Sequence, residues 1–170
     1  MTSDAAARSD ETELLIAYLG EQRRHVLGII DGLDDEQLRR PVLPSGWSPL
    51  TMLSHLTHDD ELFWFGAVIA GDEDVIAGVL TADGWTVPDD VVPADLLAAY
   101  REQARRSDEI LRAADLDAAP TWWPEEIFGE WRLDSVREIV LHVLVETAAH
   151  AGHLDAAREL IDGRQWMVQG

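Results

Sequence analysis

The segment from Arg132 to Gly163, RLDSVREIVLHVLVETAAHAGHLDAARELIDG, constrains the fold more than any other. Its apolar residues recur with helical period, so it reads as one long helix closed by Gly163 as a C-cap. With Glu146 at zero on a helical wheel, Val136, Ile139, Val143, Leu154 and Ile161 fall between roughly +20° and +80°. That face must be buried. Glu146 and His150 lie inside that arc, one turn apart. Polar groups in an apolar stripe are costly unless they are paired or hold a metal.

The remaining chain supplies three more helices. Ser9-Asp10-Glu11 offers cap residues for a first helix to Leu33, with Leu15, Tyr18, Gln22, Val26 and Ile29 on its apolar face and His25 at the rim. Residues 1–9 read as a frayed end. Pro41, Pro44, Gly46 and Pro49 break the chain, and Asp35–Leu38 form a short turn among them. Ser48-Pro49 then starts a second helix reaching about Ala70. Met52, His55, Asp59, Leu62, Gly66 and Ile69 share its buried face, with His58 on the flank. The acidic stretch 71–92, with a short helix near 75–80, is long for a tight turn and lets helices two and three run parallel. Pro93-Ala94-Asp95 opens the third helix, with Leu97, Tyr100, Ala104, Ser107 and Leu111 on one face. An irregular connection, 118–132, carries Trp122, Trp123, Phe128 and Trp131, which cap the core or line a pocket. Residues 164–170 form a tail with Trp166 and Met167. The expectation is an all-α, single-domain four-helix bundle over residues 1–170.

Composition narrows the function. Lys+Arg number 13 against 33 Asp+Glu, a net charge of −20, which disfavours nucleic acid and anionic membranes as partners. There is no cysteine, hence no thiolate ligand or cysteine nucleophile. No apolar run is long enough to span a bilayer and no leader pattern opens the chain, so a cytoplasmic location is expected. No glycine-rich phosphate loop or nucleophile elbow occurs.

A metal must therefore use His, Asp, Glu or water. Side chains four residues apart on a helix can converge on one ion, so Glu146 and His150 qualify, with His55 delivered from the second helix. His142–Glu146 and His150–His153 are alternative pairs, and Asp59 either ligates or orients a ligand. A metal-free hydrogen-bonded network is the competing reading. N/O ligation admits zinc first, and nickel, iron or manganese as well.

Gly46-Trp47-Ser48-Pro49-Leu50, Leu53-Ser54-His55-Leu56 and His142-Val143-Leu144-Val145-Glu146-Thr147-Ala148-Ala149-His150-Ala151-Gly152-His153-Leu154-Asp155 together resemble the DinB-like four-helix superfamily. Within it they are similar to an actinobacterial branch related to the N-terminal domain of mycothiol-dependent maleylpyruvate isomerase. The resemblance runs from about Thr12 to Gly163. It implies an up-down-down-up bundle with a long crossover between helices two and three, a divalent metal beside a pocket, and a homodimer. It places the isomerase's ligands on His55, Glu146 and His150, the set reached from the wheel. Relatives transfer low-molecular-weight thiols such as mycothiol or bacillithiol. The isomerase also uses a further C-terminal domain that does not follow the fourth helix here, so general thiol transfer is expected rather than isomerisation.

The expected activity is metal-dependent S-transfer from a mycothiol-type thiol to a small electrophile, with His153 and Asp59 as candidate catalytic residues. The alternatives are a metal-dependent hydrolase and a non-catalytic, stress-related metal-binding protein.

Overall fold

The computed structural model describes residues 2–81 and 83–166, with side chains from residue 10 onward. Among these residues the chain is all-helical, as expected, with no strand. The long helices are α1 (Thr2–Ile30), α5 (Pro93–Ala113) and α7 (Val136–Asp162). The second long rod is composite. α3 (Pro49–His55) runs directly into a π-helical segment, Leu56–Ile69, in which hydrogen bonds span five residues instead of four. Short helices α2 (Asp35–Arg39), α4 (Glu73–Val79) and α6 (Glu125–Phe128) decorate the connections.

The caps follow local chemistry. Asp34 accepts from the Gln37 amide while Gln37 Oε1 accepts from the Asp34 amide, at 2.8 and 3.0 Å; Ser48 and Thr51 form the same reciprocal box ahead of Pro49, satisfying helix-end donors. Ser135 caps α7, and Gly163 ends it with φ +79°, a left-handed conformation that favours glycine.

Two buried clusters fill the bundle. One joins Ile16 and Leu19 of α1, Phe63–Phe65, Val68 and Ile69 of the π segment, Leu111 of α5, and Val136–Val143 of α7. The other joins Val26, Ile29 and Ile30, then Leu50–Leu56, then Leu96 and Tyr100, then Ala151 and Leu154. Between them lies a buried ion network. Arg23 donates from Nε and Nη2 to both Glu61 oxygens at 2.6 and 2.7 Å, and from Nη1 to Asp108 at 2.6 Å. It ties α1, the π segment and α5 together. Buried Arg158 on α7 donates to the Ile29 and Asp31 carbonyls at 2.6 and 2.9 Å, satisfying the open carbonyls at the end of α1.

Several expectations are corrected. α1 begins at Thr2, not at Ser9. Its buried residues include Val26 and Ile29, as expected, with Ile16, Leu19, Arg23 and Ile30, while Tyr18 stands 54% exposed. His25 is buried rather than at the rim, with Nε2 2.6 Å from Asp155 Oδ2. Trp166, expected in a tail, lies against this pair, stacked on His25 with ring centroids 5.7 Å apart. It occupies the space a side chain on Gly28 would need. Met167 lies outside the described residues. No helix is long and apolar enough to cross a membrane among the described residues.

Candidate active site

His55 ends α3 where the π segment begins, and its Nδ1 is 2.8 Å from Asp59 Oδ2. In neutral His55 this bond keeps the proton on Nδ1 and leaves the Nε2 lone pair free, the usual arrangement of an oriented ligand. Trp85, from the connection between α4 and α5, stacks on the His55 ring with centroids 4.1 Å apart and planes 18° apart. Gly84 lets this connection lie directly on Asp59, since a Cβ there would overlap the carboxylate.

His150 of α7 meets His55 edge-on, with ring centroids 5.0 Å apart. Its Nε2 is 3.6 Å from Glu146 Oε2. His55, Glu146 and His150 therefore lie in one region. Among the described residues, however, no three His, Asp or Glu side chains stand so that they could hold a metal ion. Glu146 and His150 also lie at the margin of the buried face of α7, which is centred on Val143, Thr147 and Leu154. His153 is exposed, its Nδ1 3.4 Å from His150 Nδ1. Of the remaining histidines, His58 bonds back to the Ser54 carbonyl at 2.9 Å, and His142 packs edge-on against Trp64 at 4.8 Å.

Two cavities flank this group. The first, about 400 Å³, is lined by Ser45, Gly46, Trp47, Thr51 and Trp85. The second, about 310 Å³, has His55, Asp59, Asp60, His142 and Glu146 on its polar side, and Phe63, Trp64, Val79, Ile127 and Phe128 on its apolar side. The stacked His55–Trp85 pair contributes one ring to each. Trp122, Trp123 and Trp131 do not line the second cavity. Trp123 and Trp131 pack behind Trp64 and Phe128, and Trp122 packs against Phe63.

Sequence reasoning missed Asp60 and Trp85. A wheel of period 3.6 turns Asp60 away from His55, but a turn closing over five residues brings it round to the same side. Asp60 Oδ2 is buried without a hydrogen-bond partner. Burial, then the charges of Glu146, Glu61 and Asp59, push its carboxyl well above the usual carboxylate range. Trp85 sits in a loop with no periodicity to reveal it; Gly84-Trp85 is its only local signal.

Burial, then the neighbouring His55, lowers His150 to about 4 against a weaker opposing pull from Glu146. Its imidazole is thus neutral at pH 7, as a metal ligand must be. Because the folded-state pKa lies below the unfolded value, the unfolded state binds more protons between pH 4 and 6.5, and His150 withdraws stability as pH falls through that window. NMR titration of the metal-free protein should place the His150 midpoint near 4. Replacing His150 with glutamine should flatten the acid side of the stability profile in chemical denaturation. A midpoint near 6.5 would contradict this.

A family model described as mycothiol-S-transferase matches residues 14–163, and the chain belongs to that DinB-like family. No curated protein and no solved structure matches it. Family membership points to a transferase with mycothiol as the thiol co-substrate and a small molecule as its partner.

Proposed function

We propose that the protein is a divalent-metal-dependent mycothiol S-transferase acting on a small electrophile. The supporting observation is the meeting of His55, His150 and Glu146 beside an open cavity, with His150 held neutral. As they stand, no three donors among the described residues face one point, so binding would require these side chains to turn toward one another; His55, Glu146 and His150 would then hold the ion, zinc first and nickel, iron or manganese otherwise. Once bound, the ion would supply a lowered thiol pKa and a positioned thiolate. Asp59 orients His55, and His153 stands beside His150; one of them accepts the thiol proton. The S–C bond forms at the electrophilic carbon. Either a leaving group departs with its electron pair, or, in an addition, the proton returns to the atom that gained the negative charge.

The distribution of the four long rods over the two core clusters supports an up-down-down-up order. Along α1 and α7 the residues of the first cluster precede those of the second, while along the second rod and α5 they follow them. We read residues 1–170 as one domain in a cytoplasmic enzyme. Exposed Leu14 and Tyr18 on α1 and Leu141 and Val145 on α7, on helices that pack together, support a homodimer built on that face. The decisive experiment follows thiol consumption by metal-loaded protein across a panel of electrophiles. Activity that requires both thiol and metal supports the assignment, and turnover without thiol would replace it with hydrolysis.

A further inference from the structure

The second cavity has a chemistry more specific than a generic small electrophile requires. On its apolar side Trp64 and Phe128 stack nearly parallel, planes 10° apart and centroids 5.6 Å apart, and Phe63 meets Phe128 edge-on at 6.0 Å. Its polar side carries Asp59, Asp60 and Glu146. No arginine is among its lining residues, and the sequence contains no lysine. Arg132, which lies over Trp123, is paired with Glu125 and Asp134. His55 and His142 complete the polar side. An anion entering here would face three carboxyl groups with no guanidinium or ammonium to pair with, and would lose hydration without gaining a cationic partner.

We propose that this cavity seats the electrophile and selects flat, aromatic or conjugated molecules without negative charge. That the occupant is the electrophile rests on the S-transferase reading; the binding preference does not. Aromatic rings offer a planar guest offset-stacked and edge-on contacts, and the cavity's volume of about 310 Å³ is of drug-fragment scale.

The test uses the full chain with no thiol present and two probes of matched shape, benzalacetone (neutral) and cinnamate (anionic), measured by calorimetry at pH 7.5. Indole ¹⁵N resonances locate the bound probe. Benzalacetone should shift the Trp64 signal and bind on the order of tenfold more tightly than cinnamate. Ile127→Arg adds a cation at a position 51% exposed and should narrow or reverse that gap. Val79→Trp, which fills the cavity, should weaken benzalacetone binding with the helical circular dichroism unchanged; if this variant misfolds, Ile127→Arg decides. Equal or tighter cinnamate binding to the wild type, an undisturbed Trp64, or an unchanged gap in Ile127→Arg would overturn the proposal. Failure of thiol transfer with this binding pattern intact would remove the reaction and leave the pocket assignment standing.

Discussion

Glu146→Gln and His150→Ala are each expected to lower kcat/KM for thiol transfer on the order of a thousandfold, because each removes a proposed ligand of an ion that contributes several kcal/mol to the reaction. The fold should survive, since the Glu146 side chain is 39% exposed and makes no contact that ties helices together. Metal content of protein purified without an affinity tag, read by elemental analysis, should fall in parallel with activity. Asp59→Asn should act more mildly, by roughly 10- to 100-fold in metal affinity, because it loosens His55 rather than removing a donor. Full activity in Glu146→Gln, or activity indifferent to chelation, would discard the metal and keep only the thiol chemistry.

The largest loss of stability should come from a residue far from catalysis. Arg23→Met leaves Glu61, 1% exposed, without the guanidinium that holds both its oxygens, and is expected to cost about 3–5 kcal/mol. A urea titration reads this as a fall in midpoint at unchanged slope. The double variant Arg23→Met with Glu61→Leu should recover much of the loss, because an apolar pair of similar volume removes the stranded charge. A midpoint unmoved in the single variant would mean that water or another cation already compensates Glu61.

Much of the architecture was readable before any coordinates. The cap at Ser48, proline at the start of α3 and α5, and Gly163 at the end of α7 mark element boundaries by chemistry that acts within a few residues. The nearness of His55, Glu146 and His150 follows from helical spacing, but the wheel put Glu146 and His150 inside the buried stripe, whereas they stand at its margin. What escaped has a common physical origin. The wheel assumes one period, and from Leu56 to Ile69 the chain adopts another, so Asp60 and Glu61 did not emerge as buried. Arg23 was invisible because a buried cation looks like any exposed arginine until its partners on two other helices, Glu61 and Asp108, are in place. Tyr18 failed differently: helical spacing put it on the apolar face, whereas neighbouring Leu19 is the buried residue.

The wide turns of the second rod also bear on how this sequence can vary. In a rod of uniform α-helix, losing one residue rotates everything beyond it by about 100°. Here a one-residue deletion between Leu56 and Asp60 that restored the tighter winding would leave Asp60 and Glu61 near their present azimuths, because the lost residue and the lost width of the turn offset each other. A scan of single-codon deletions along the gene should accordingly find this stretch more tolerant than the uniform helices α1, α5 and α7.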